Sequence, residues 1–152
     1  MKKQFLFMFM LLFSSYALLL SACSHSEEEK IQVYLEKNSE AFYHFLVVDY
    51  TDGILNIEFK MLANSETWSN EAVESDLNIE TKAILETVKK YSEGHLDAVK
   101  EVNIYFVTRE SNKTVAEIYA NNDTLLETNW LELDRNELSH IVDGYKFYGV
   151  SN

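Results

Sequence analysis

Few residues in this chain are equipped for chemistry. Its 152 residues include four histidines (His25, His44, His95, His140), one cysteine (Cys23), and 25 Asp+Glu against 13 Lys+Arg. No two histidines stand at the short spacing that lets them share a zinc ion, and one cysteine supplies neither a disulfide framework nor a multi-Cys metal cluster. His44 falls on the apolar side of an expected hairpin, where a histidine serves as a hydrogen-bonded core or rim residue. Asp49 and Asp52 lie close together at Asp49-Tyr-Thr-Asp52-Gly53, but the spaced oxygens and closing Glu of a calcium loop are missing, and Asp52 is needed by the turn itself. No serine sits in a Gly-x-Ser-x-Gly elbow. Glycine occurs only at Gly53, Gly94, Gly144 and Gly149, so no phosphate-cradling loop is present. Paired carboxylates can hydrolyse glycosides, yet among 25 acids some pair arises by chance. No catalytic, cofactor-binding or metal-binding residue is therefore singled out. The formal charge of −12, without a Lys/Arg cluster, excludes nucleic acid as a partner.

The address is more legible. Met1-Lys2-Lys3 is followed by the apolar run Phe5 to Phe13, then by Ala17-Leu18-Leu19-Leu20 and the small residues before Cys23. Charge, apolar segment and small residues in that order describe a secretory signal peptide. Phe5 to Leu20 is 16 residues, short of the ~20 of a spanning helix. Leu20-Ser21-Ala22-Cys23 resembles, position for position, the lipobox of bacterial lipoproteins. That resemblance covers the first 23 residues and implies cleavage between Ala22 and Cys23 by signal peptidase II, with a diacylglyceryl thioether on Cys23. It implies a protein held by lipid on the extracytoplasmic face of a bacterial membrane. The acidic, Asn-rich mature part favours a Gram-positive surface; the alternative is a Gram-negative outer membrane, since Ser24 is not the Asp of inner-membrane retention. Removing residues 1–22 takes away Lys2 and Lys3 and no acid, which leaves 130 residues at −14.

The expected organisation is a signal peptide over 1–22, a lipidated N-terminus and tether over 23–30, and one domain over 31–152. Ile31, Tyr34 and Leu35 give Glu27–Lys37 the spacing of a short amphipathic helix. Residues 41–51 and 54–62 form a hairpin around Asp52-Gly53, which pairs Thr51 with Ile54 and turns Leu46, Val48, Tyr50, Leu55, Ile57, Phe59 and Met61 to one face. Leu77 to Tyr91 has a helical stripe, with Ser75, Asp76 or Asn78 as candidate caps. Residues 101–109 and 114–120 read as two strands, with Thr108 opposite Ala116. Thr124–Leu133 reads as a third strand, and Asp134–Glu137 as a capping box that opens a short helix to Val142. An extended segment over 145–150 closes the chain. The fold expected is α+β: a small antiparallel sheet of two hairpins or a meander with helices on one face, in the order α-β-β-α-β-β-β-α. Cystatin-like and NTF2-like folds are similar in element order alone.

Aromatic residues carry the remaining functional signal. Tyr43, Phe45, Tyr145, Phe147 and Tyr148 either cover a second layer of core or form an interaction surface, since aromatics are enriched at protein interfaces. The function expected is a membrane-anchored protein-binding or accessory module of the cell envelope, for which a basic partner suits the acidic charge. The alternatives are a small-ligand carrier with an NTF2-like pocket and a small envelope hydrolase using Asp/Glu.

Overall fold

The structure is a computed structural model, which describes residues 26–38, 46–61, 69–95 and 99–150. Helix α1 (Glu27–Asn38) leads into strands β1 (Leu46–Thr51) and β2 (Ile54–Met61), then the long helix α2 (Asn70–Gly94). Strands β3 (Glu101–Thr108) and β4 (Thr114–Asn121) follow, then short helices α3 (Asn122–Glu127) and α4 (Leu138–Ile141) and a last strand β5 (Gly144–Phe147). The five strands form one sheet in the order β1-β2-β3-β4-β5. The protein is α+β, as its patterning predicts.

The first hairpin has the expected register, from Thr51↔Ile54 to Leu46↔Phe59. Asp52 (φ 56) and Gly53 (φ 90) both take the left-handed backbone of a two-residue turn. A Cβ at Gly53 would also lie 2.9 Å from the Lys100 side chain, which would have to shift. That close approach lets the Gly53 carbonyl accept from the Lys100 amide at 2.8 Å, which ties the turn to the start of β3.

β2 and β3 run parallel, with Ile54 beside Glu101 and Met61 beside Thr108. The all-antiparallel sheet expected from the tight turns is corrected at this one seam. No tight turn joins these strands. The 25-residue α2, about 38 Å long at 1.5 Å per residue, carries the chain back along the sheet so that β3 starts beside the start of β2, as a crossover requires. The helix also starts earlier than Leu77. Ser69 caps it by accepting from the Ala72 amide at 3.2 Å, and the proposed caps Ser75, Asp76 and Asn78 lie inside it. Val73 extends the buried stripe Leu77, Ile84, Val88, Tyr91 by another turn, which favours the longer helix.

In the second hairpin Ala116 faces Phe106 instead of Thr108. The shift is two residues, so each side chain keeps its face. Val102, Ile104, Phe106, Ala116, Ile118 and Ala120 are all buried, as expected. The displacement comes from a longer turn, in which the Lys113 amide donates to the Thr108 hydroxyl at 3.1 Å, and from a bulge between Phe106 and Val107.

Thr124–Leu133 is not a strand. Asn121 accepts from the Thr124 amide at 2.9 Å and starts α3, so a strong N-cap overrides the β-branched and aromatic composition that follows. Trp130 is fully buried, and its indole N–H donates to the Leu125 carbonyl at 2.9 Å. Asp134 makes a turn through its side chain to the Asn136 amide, and α4 begins at Leu138 with no side-chain cap, in place of the expected capping box. The fifth strand is instead the terminal extended segment, antiparallel to β4.

Helix α1 begins at Glu27, so residues 27–30, expected in the tether, belong to the folded domain. Ser26 accepts from the Glu29 amide at 3.2 Å to start it, and Ile31 and Leu35 are buried in the common core. Tyr34 meets Tyr91 of α2 edge-to-face at 5.2 Å, and the Tyr91 hydroxyl donates to Glu27 at 3.3 Å. Burial and the adjacent Glu27 carboxylate push the Tyr91 phenol up to about 12, so it remains a donor across the physiological range. Among the described residues no helix is long and apolar enough to cross a membrane.

Candidate functional site

Strand alternation sends one set of side chains to the core and the other to the opposite face of the sheet. That opposite face reads across the strands in rows. One row runs Asp49, Asn56, Asn103, Tyr119, Gly144, and the next Val47, Glu58, Tyr105, Glu117, Lys146. These residues are exposed or half-buried wherever they have a side chain. Beyond the bulge, Val107 and Val115 are buried and close the face off.

The first row is a hydrogen-bonded ladder. Asn56 donates to Asp49 at 3.3 Å, and the Asn103 amide nitrogen donates both to the Asn56 carbonyl at 3.1 Å and to Glu101 at 3.0 Å. All of its donors point toward carboxylates or carbonyls within the sheet, so the Asn103 carbonyl oxygen is left as an acceptor. In the second row Glu58 pairs with Lys60 at 3.4 Å, and Glu117 accepts from the Tyr148 hydroxyl. Partial burial and the Glu101 and Asp143 carboxylates raise the Tyr119 phenol. Partial burial and Glu117 do the same for Tyr148. Asp143 also receives the Asn121 backbone and side-chain amides, both at 2.8 Å, which locks the start of β5 to the end of β4.

Gly144 interrupts this surface. With no side chain there, a hollow of ≈ 160 Å³ opens among Asn103, Tyr105, Glu117, Tyr119 and Lys146. A Cβ on Gly144 would stand 3.3 Å from the Tyr119 Cβ. The volume is below the ~300–1,000 Å³ of pockets that enclose a free small molecule. It suits a single side chain.

The chain matches no family model, no curated protein and no solved structure. Its functional residues must be read from its own geometry.

Of the residues expected at an interaction surface, Tyr43 and Phe45 lie outside the described residues, as do Ala22 and Cys23. Tyr145 and Phe147 are half-buried and pack against the core, and Tyr145 also lines the hollow over Gly144. The Tyr145 hydroxyl lies 2.8 Å from the Asn78 Oδ1 and 3.1 Å from the Glu74 Oε1, which share its one proton, and burial with the Glu74 charge holds its phenol well above the usual range. Tyr148 alone of the three is open, at 51% exposure. The open-face residues Asn103, Tyr105, Glu117 and Tyr119 were missed as a group. Their signal in the sequence is the period-two alternation of two strands whose other face is apolar, but their juxtaposition with Asn56 and Glu58 depends on the parallel seam.

Among the described residues no group of three or more His, Asp, Glu or Cys could hold a metal. His95 stacks on Tyr91 at 4.0 Å with its Nδ1 at 2.7 Å from the Tyr91 carbonyl, a local helix-end arrangement. One carboxylate on α2 is unusual. Glu80 keeps Oε2 buried with no hydrogen-bond partner among the described residues. Loss of water, and the Asp76 charge one turn earlier, raise its carboxyl to about 7.

Proposed function

We propose that the chain is a lipid-anchored extracytoplasmic lipoprotein of the bacterial envelope, whose α+β domain is a protein-binding or accessory module. The observation that carries this reading is the order Lys2-Lys3, apolar run, Leu20-Ser21-Ala22-Cys23 at the N-terminus. Two or more acyl chains, at about 0.8 kcal/mol per buried methylene, hold a domain stably where one does not. The charge of −14 on residues 23–152 is repelled by anionic headgroups, so the anchor in this reading is Cys23 and not a basic face. The open sheet face, with tyrosines among hydrogen-bonded polar residues and room for a side chain, supports binding as the role of the domain.

Fractionation of Cys23→Ala tests the anchor: the variant is expected to leave the membrane fraction or to accumulate as precursor. Detergent-only extraction identical to wild type would refute it. Crosslinking in intact cells through a photoreactive residue at Tyr148, followed by pulldown, tests the binding role. Recovery of uncrosslinked protein alone would count against it.

A further inference from the structure

The open sheet face is acidic in excess of what its own lysines neutralise. Asp49, Glu58, Glu101 and Glu117 share it with Lys60 and Lys146, and Lys60 is already paired with Glu58. The hollow over Gly144 adds a shape to that charge. Its lining includes three tyrosines, Tyr105, Tyr119 and Tyr145, together with Asn103 and Glu117. Every donor of the Asn103 amide is spent within the ladder, so Asn103 and Glu117 both offer oxygen acceptors to an occupant.

We propose that this face binds a positively charged segment of a protein partner, with an arginine side chain seated in the hollow over Gly144. The proposal rests on the reading of the domain as a binding module and names the chemistry of its partner. A planar guanidinium has a face to stack on tyrosine and a fork of N–H donors for carboxylate and amide oxygens. A second copy of this chain would set the same four acids against themselves, and a phosphate-bearing surface would meet like charge. Gly144 is what keeps the seat open: any larger residue would fill it against Tyr119. Lys146 also lines the hollow as a competing cation, which sets the affinity below what the acids alone would allow.

The test uses the full chain in detergent and a fluorescein-labelled peptide alternating arginine with serine, with a glutamine-for-arginine peptide as control. Lys146→Glu is expected to tighten arginine-peptide binding about fivefold or more, and Glu117→Gln to weaken it about fivefold. Both changes are on exposed or half-exposed polar residues and leave the core intact. Glu132→Gln, on the exposed turn whose neighbours Thr128 and Leu133 are held by α2 lysines, is the charge-matched control and is expected to leave affinity unchanged. Amide shifts on titration are expected at Tyr119 and Gly144. Equal weakening by Glu132→Gln, equal binding of the glutamine peptide, or no gain with Lys146→Glu would overturn the proposal. The two readings fail separately. Retention of the chain and its crosslinked partner in cells is independent of this titration, and a partner whose crosslinked segment is acidic would refute the arginine seat while leaving the binding role intact.

Discussion

Glu80 makes a prediction whose sign runs against the common behaviour of carboxylates. Its carboxyl rises from an ordinary 4.5 to about 7 because Oε2 is shut away from water with no hydrogen-bond partner among the described residues and Asp76 lies one turn earlier on α2. A raised folded-state value means the native protein holds the proton more tightly than the unfolded chain. The stabilisation is therefore complete below pH 4.5 and is lost as the pH rises through about 7. The gap between the two values sets a ceiling of about 3 kcal/mol, at ~1.4 kcal/mol per pH unit. Glu80 is only half-buried, so screening by water reduces this to about 1–2 kcal/mol. Glu80→Gln removes the proton from the problem while preserving shape. Urea unfolding of both proteins between about pH 4.5 and pH 8 should show little difference at the acid end. The variant should become more stable by about 1–2 kcal/mol above pH 7, or roughly 3–8 °C in Tm for a domain of this size. The difference between the two proteins at each pH is the quantity to follow. A difference that stays constant with pH, or a variant less stable at pH 8, would sink the argument.

Other substitutions probe the elements that position the open face. Gly53→Ala forces a side chain into a left-handed position (φ 90) and against Lys100; a loss of about 1–3 kcal/mol by urea denaturation is expected. Ser69→Ala removes the cap of α2 and should cost about 0.5–2 kcal/mol, with a drop in helical circular dichroism confined to fraying at one end. Trp130→Ala empties a fully buried site and leaves the Leu125 carbonyl without its donor, and about 3–5 kcal/mol should be lost in thermal or urea melts. Tyr145→Phe deletes one hydroxyl bonded to Glu74 and Asn78; a cost of about 1–2 kcal/mol is expected, and no measurable loss would show that Asn78 finds other partners.

Local chemistry decided how much of this fold could be read in advance. Asp52-Gly53 specifies a turn so narrowly that the register of six pairs follows from two residues. In the second hairpin the turn is longer and the register moved by two, yet the core face survived because strand periodicity forgives even shifts. Thr124–Leu133 misled because its Thr, Leu and Trp suit a strand as well as a helix; the deciding group was Asn121, whose side chain caps α3. The parallel seam between β2 and β3 was not legible at all, since it depends on where a long helix delivers the chain. The candidate site shared that limit. Aromatic density drew attention to residues 145–148, but α2 claims the Tyr145 hydroxyl through Glu74 and Asn78, and only Tyr148 is left open. The seat over Gly144 is formed by three strands together, and no single segment carries its pattern.

Glu27 is already helical and bonded to Tyr91 near the end of α2. On the proposal that Cys23 carries the lipid, the four residue steps to Glu27 reach at most about 14 Å. An anchor of that length would confine the domain to a thin layer above the bilayer, in which it would drift sideways with its lipid. Encounters with another envelope component then become a search in two dimensions, at the high effective concentration that a short tether imposes. A face whose grip is weak in dilute solution can be well occupied under those conditions, and can still let go quickly.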